Sequence, residues 1–198
     1  MSLLFESIRI QDGMFDLLDL HEERMRASRK ALLGLDDPIS LHDLSVPAEY
    51  QSGRVKCRVE YTSIIERVTF ERYELSLPKQ FRLVTDNEIE YAHKFTDRTR
   101  LLALLESATP DGIIIVRGGF ITDSYHANLV FSDGSQWVTP DTPLLKGRMR
   151  ESLLRTGQIS LVSVRPENLK SYTSFKLINA MLGFKESPEF SFDRIVGI

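Results

Sequence analysis

An α+β fold made of two small domains is what this chain of 198 residues predicts. Three observations lead there. In the first half, two apolar runs flank Asp12-Gly13, and Arg54 to Tyr61 alternates strictly between apolar and charged residues. In the second half, short apolar runs follow one another, separated by Arg117-Gly118-Gly119 and Asp133-Gly134-Ser135. Between the halves, Thr85 to Glu90 is a polar lapse of the kind that separates domains. The pattern places a small N-terminal domain over 1–86, an antiparallel sheet with helices. A larger C-terminal domain over 87–198 is expected to be an antiparallel β meander, barrel-like, with helices of its own.

The elements follow in order. Phe5 to Ile10 and Met14 to Leu18 read as strands of a hairpin, since an Asp-Gly pair supplies the positive φ angles of a tight turn. Asp19 is placed as the N-cap of a helix, with Glu22 three residues on, Met25, Ser28 and Leu32 along one face, and Gly34 as its end. Arg54 to Tyr61 puts Val55, Cys57, Val59 and Tyr61 on one face and Lys56, Arg58 and Glu60 on the other, the period of a half-buried strand. Ile64 to Leu75 is its expected antiparallel partner, and Phe81 to Val84 a further short strand. Asp97 to Ser107 reads as a leucine-rich helix stopped by Pro110-Asp111-Gly112. Ile113 to Val116, Phe120 to Thr122, Asn128 to Phe131 and Trp137 to Thr139 are the strands of the meander. A helix opens at Gly147 and runs to Arg155. Glu167 to Ala180 reads mostly as helix or loop, and Phe190 to Ile198 as a last strand.

Composition narrows the function classes. Hydrophobic residues make up 42% and charged residues 27%, ordinary values for a folded chain. A net charge of −3 gives no general attraction to nucleic acid or anionic lipid. No apolar run approaches the roughly 20 residues that span a bilayer, so neither membrane nor nucleic acid is expected as a partner and a cytoplasmic location is. Cys57, the single cysteine, is expected in a strand core. No cluster with metal-ligand spacing occurs.

Four ordered segments carry chemistry. Phe5-Glu6-Ser7-Ile8-Arg9, Asp12-Gly13 and His21-Glu22-Glu23-Arg24-Met25 form the first. Tyr91 to Arg98, centred on Lys94, is the second. Gly119 to Phe131 with Trp137-Val138-Thr139-Pro140 and Pro143 to Gly147 is the third, and Asn179-Ala180-Met181 the fourth. Together they resemble the fold-type-IV pyridoxal-phosphate enzymes, the family of branched-chain and D-amino-acid aminotransferases and 4-amino-4-deoxychorismate lyases. With Phe5 so near the start, the chain resembles a compact, N-terminally shortened member with a D-amino-acid aminotransferase-like fold.

The resemblance implies a set of roles. Lys94 would be the catalytic lysine that joins pyridoxal 5'-phosphate as a Schiff base, and Arg24 would bind the cofactor phosphate. Asp123 stands where the family has a glutamate beside the pyridine nitrogen, whose proton makes the ring an electron acceptor. Asn128, Gly147, Arg148, Met149, Asn179 and Ala180 would complete cofactor binding, with 148 and 149 contributing backbone N–H groups at a helix start. Arg150 is expected on the surface of that helix in a structural role. Arg58 and Tyr61 are candidates for substrate contact, while His21, His93 and His126 are expected to pack rather than catalyse. The implied activity is that of a 4-amino-4-deoxychorismate lyase of folate biosynthesis, releasing 4-aminobenzoate and pyruvate. Alternatives are a branched-chain or D-amino-acid aminotransferase, or a family member that binds cofactor without catalysis. A small-molecule amino substrate and a homodimer with the site near its interface complete the expectation.

Overall fold

The computed structural model describes residues 3–107 and 111–197. They fall into two compact units, Met1–Leu75 with His93–Asp97, and Ser76–Ala92 with Arg98–Ile198.

In the first unit, β1 (Leu4–Gln11) turns into β2 (Met14–Phe15) through Asp12 and Gly13, whose φ angles of 49° and 80° are both left-handed. Gln11 pairs with Met14, so the connection is the two-residue turn whose twist suits a hairpin. β2 is shorter than the expected Met14 to Leu18, because α1 (Leu18–Leu33) already begins at Leu18. Asp19 is not its cap. Leu17 occupies that position with φ 54°, and Asp19 lies in the first turn, its carboxylate 2.9 Å from His42 Nε2. Gly34 ends the helix as expected, at φ 71°, its N–H donating to Lys30.

β3 (Arg54–Tyr61) pairs antiparallel with β1 along its whole length and with β4 (Ile65–Arg72) on the other side, giving the order β2-β1-β3-β4. Its alternation is realised: Val55, Cys57, Val59 and Tyr61 are buried beside Leu4, Ile8, Ile10, Met25 and Leu41. Each buried valine contributes about 1.5–3 kcal/mol over exposure. The Cys57 thiol is pushed up to about 12 by burial, which makes it an inert core residue.

The second unit is built on an eight-stranded sheet, seven of whose strands run in the order β10-β9-β8-β7-β6-β5-β12, with the eighth, β11, paired to β8 off that path. Its strands are β5 (Phe81–Thr85), β6 (Gly112–Arg117), β7 (Phe120–Ser124), β8 (Asn128–Ser132), β9 (Trp137–Pro140), β10 (Ser160–Val162), β11 (Ser174–Ile178) and β12 (Ile195–Val196). β6 to β9 run as the expected antiparallel neighbours. Parallel pairs are added at β5–β6, β9–β10 and β5–β12, so the sheet is mixed. The β5–β6 pair needs a crossover, supplied by α2 (Thr99–Glu106).

That pairing moves the division of the chain. β5, expected before a boundary at 86, belongs to the second sheet, and the units divide after Leu75. The polar segment after it is tied in by Asp86, which accepts two hydrogen bonds from Arg100 at 2.5 and 2.6 Å. Of the expected helix stop, Pro110 lies outside the described residues and Gly112 opens β6. A Cβ at Gly112 would lie 2.7 Å from the Phe81 ring and the Gln80 carbonyl, which explains the glycine.

Glu167 to Ala180 departs most from expectation. A 3-10 turn at Pro166–Ser171 is followed by β11, whose Phe175, Leu177 and Ile178 are buried. Of the expected last strand Phe190 to Ile198, Ile198 lies outside the described residues, and among the described ones Ile195–Val196 forms β12. The core gathers around Phe175, whose ring lies 5.2 Å from Phe81 and 5.3 Å from Phe190. α3 (Arg148–Arg155) opens after Gly147, as expected. Among the described residues no helix is long and apolar enough to cross a membrane.

Candidate active site

The first unit fixes Lys94 through its backbone. Its carbonyl accepts the Phe5 N–H at 2.9 Å, Phe95 bridges Leu4, and Thr96 N–H donates to Leu3 at 2.9 Å. The Lys94 Nζ then stands 4.5 Å from the centroid of the Phe5 ring. Arg58 uses the same ring, its guanidinium carbon 3.9 Å from the centroid, while its Nε donates to Glu60 Oε1 at 2.8 Å. Strand register explains the meeting: Phe5 pairs with Glu60 and Ser7 with Arg58, so all four share one face of the sheet. Lys94 and Arg58 are therefore brought together on one aromatic side chain.

Tyr61 does not join them. It pairs with Leu4 on β1, on the opposite face from the Ser7–Arg58 pair, and is fully buried in the core. The two expected substrate residues are split by the period of two, and only Arg58 stays a candidate.

On the helix-facing side of β1, Arg24 is 9% exposed and Glu6 and His21 are fully buried. Arg24 Nε donates to Glu6 Oε1 at 2.8 Å and its Nη2 to Glu6 Oε2, which lies 2.6 Å from His21 Nδ1. Burial alone would raise the Glu6 pKa. The Arg24 charge and the hydrogen bonds from His21 and Arg24 overcome it and hold the carboxyl well below the usual range. His21 packs as expected, and His93 Nδ1 meets Ser28 Oγ at 3.0 Å. Glu6 was not singled out in sequence, although a carboxylate among Leu4, Ile8 and Ile10 on an apolar face was a visible signal.

In the second unit Asp123 is buried on β7. Oδ1 accepts from Asn128 Nδ2 at 2.7 Å and Oδ2 from the Leu145 N–H at 2.8 Å. Burial raises its pKa from the ordinary 3.8 to about 6, against the lowering effect of those donors and of Arg150. Asn128 also donates to the Leu145 carbonyl at 2.8 Å. It is thus a brace between Asp123 and the segment leading to α3. Gly147 is required beside it, because a Cβ there would lie 2.0 Å from Asn128 Oδ1.

α3 starts at Arg148 without a side-chain cap. Arg148 is buried and its Nη2 returns to the Lys146 carbonyl at 2.6 Å, while Met149 packs toward Val130, Leu153, Ile159 and Ile178. Both side chains are occupied with the fold, so at these positions the backbone is what can meet a ligand. Arg150 is not on the helix surface as expected. It is 4% exposed, donates to the Pro140 carbonyl at 2.8 Å and acts on Asp123 through its charge. Asn179 spends its amide on turns: Nδ2 donates to the His126 carbonyl at 3.1 Å, and Oδ1 accepts from the Met181 and Leu182 N–H groups. Ala180 beside it is half-buried. Arg98, the last residue of the lysine segment, donates to the Tyr125 carbonyl and lies 4.3 Å over the Tyr125 ring. Arg98 and Asn179 thereby hold the turn that joins Asp123 to Asn128.

The chain belongs to the family described as amino-transferase class IV, whose family model matches residues 3–185. It is 31% identical over 185 residues to an uncharacterized protein of Haemophilus influenzae, covering 91% of this chain and 98% of the other. Among solved structures, it resembles a Haemophilus somnus protein provisionally named a 4-amino-4-deoxychorismate lyase. There the TM-score is 0.82 and the identity 31%, with 93% of this chain and 98% of the other covered. The fold is shared as well with a hypothetical aminotransferase of Mycobacterium tuberculosis in its PLP-bound form, at TM-score 0.76 and 16% identity, covering 99% and 82%.

Proposed function

We propose that the chain is a pyridoxal-phosphate enzyme acting on a small carboxylate-bearing amine, with 4-amino-4-deoxychorismate lyase as its reaction. The observation that carries the reading is the placement of Lys94 Nζ and Arg58 on the Phe5 ring. It sets a primary amine beside a fixed guanidinium of the kind that receives a carboxylate.

The residues fit the cofactor. Asp123 offers a buried carboxyl for the pyridine nitrogen, held by Asn128 and Leu145 N–H so that the shorter side chain is still fixed in direction. In the first unit the guanidinium of Arg24 is of the kind that binds phosphate, and in the second so are the backbone N–H groups of 148 and 149 at the start of α3. When bound, pyridoxal phosphate supplies an electron sink for a carbanion next to the substrate nitrogen. Lys94 Nζ holds the cofactor, then takes and returns the substrate proton, and Arg58 orients the substrate carboxylate. Asp123 stays ionised once a protonated ring nitrogen faces it, which holds that proton in place.

In the lyase reaction the proton moved by Lys94 lets pyruvate depart and leaves 4-aminobenzoate aromatic. The name and 31% identity of the Haemophilus somnus relative support this choice. We also propose a homodimer in the cytoplasm, to be checked by sedimentation of the purified protein and by cell fractionation. Supplying aminodeoxychorismate without a keto acid tests the reaction. Pyruvate release supports the lyase; turnover strictly dependent on a keto acid acceptor refutes it in favour of an aminotransferase. A protein that takes up the cofactor and turns over neither refutes catalysis.

A further inference from the structure

We infer that Glu6 is a positioning residue whose buried carboxylate aims the Arg24 guanidinium at a phosphoryl group. This rests on the phosphate role given to Arg24 above. Glu6 sits at the centre of β1 on the helix-facing side, where its neighbours Leu4, Ile8 and Ile10 are fully apolar and buried. Strand alternation calls for a hydrophobic residue there.

His21 and Arg24 are three residues apart on α1 and so lie on one helix face, both directed at this single carboxylate. Arg24 meets it with its Nε–Nη2 edge, a two-point contact that fixes the plane of the guanidinium as well as its position. His21 Nδ1 donates to the oxygen that also accepts Arg24 Nη2, so Glu6 is held from a second direction. The carboxyl stays ionised throughout the physiological range and therefore acts only as an acceptor.

Stability alone does not account for the arrangement. A buried ion pair gains little over apolar side chains of the same volume, because two charges must leave water. Arg29, one turn further along α1, shows the contrast. It is also buried, but its guanidinium donates to the Asp37 carbonyl, the Asp37 carboxylate and the Ser63 carbonyl, pinning two loops. Arg24 instead meets one carboxylate of the neighbouring strand with two of its nitrogens, a contact that sets direction.

The test compares Glu6→Gln with wild type for binding of pyridoxal phosphate and of pyridoxal, followed by the change in protein fluorescence, with circular dichroism on each sample. The expected result is a loss of about 10–100-fold in affinity for pyridoxal phosphate, the size known for outer partners that orient metal-binding side chains. Pyridoxal, which lacks the phosphate, should bind Glu6→Gln and wild type alike. Equal losses for both compounds, or none, would overturn the inference. Should Glu6→Gln fail to fold, Glu6→Asp keeps the charge but is one methylene short. It is expected to show a smaller loss confined to pyridoxal phosphate, and unchanged binding would again overturn it. A wild type that binds neither compound contradicts the cofactor reading itself, an outcome distinct from wild-type binding that Glu6→Gln leaves unaltered.

Discussion

Asp123→Asn should change how the stability of the protein depends on pH. The carboxyl of Asp123 titrates near 6 in the folded chain against an ordinary 3.8, chiefly because burial disfavours its charge. Below pH about 4 the group is protonated in both states and has no effect. Between about 4 and 6 the folded chain retains a proton that the unfolded chain has released, so stability falls as pH rises and levels off above the folded pKa. The difference corresponds to about 3 kcal/mol, at about 1.4 kcal/mol per pH unit. An asparagine removes that dependence. It also offers one oxygen to two donors, Asn128 Nδ2 and the Leu145 N–H, which costs about 1–3 kcal/mol at every pH. Urea unfolding of the cofactor-free proteins from pH 4 to 8 measures both effects. The stability of wild type relative to the variant should fall by about 3 kcal/mol from pH 4 to 7, so that a variant less stable at pH 4 draws level with wild type or overtakes it. Parallel curves would refute the assignment of a raised pKa to Asp123.

Other outcomes follow from the same geometry. Gly147→Ala drives a methyl into Asn128 Oδ1 and should cost about 1–3 kcal/mol by overpacking, read in urea, while lowering cofactor affinity by freeing Asp123 from its brace. Arg24→Ala leaves the Glu6 charge buried with only His21 opposite and should destabilise by about 3–5 kcal/mol at pH 7. That loss should shrink as pH falls toward and below the ordinary carboxyl value of 4.5, because burial without Arg24 favours a protonated Glu6 in the variant while wild-type Glu6 stays ionised; a pH-independent loss would contradict the pairing. Phe175→Ala, at the centre of the aromatic cluster, should cost about 3–5 kcal/mol in the same assay.

Much of this was legible in the sequence because local rules dominated. The Asp12-Gly13 hairpin, the alternation of β3 and the start of α3 depend on turn chemistry and period, and they form where expected. The misses are long-range. β5 was expected with the first domain because sequence proximity suggests it, but its parallel partner β6 lies beyond the helix α2, and no short-range pattern announces that pairing. β11 is too short for its period to separate strand from helix, and only pairing with β8 decides it. Of the candidate site, Lys94, Asp123 and Gly147 were picked out through the family resemblance, not by their own neighbourhoods. The burial of Arg150, the turn-holding amide of Asn179 and the split of Arg58 from Tyr61 are properties of packing. Glu6 could have been found, since a carboxylate in an apolar register demands a buried partner.

The central claim is that Lys94 holds pyridoxal phosphate. Incubation with the cofactor, reduction with borohydride and peptide mass mapping tests it directly. A phosphopyridoxyl group on the peptide containing Lys94, absent from Lys94→Ala, is the result predicted here. Incorporation at another lysine, or none, would contradict it.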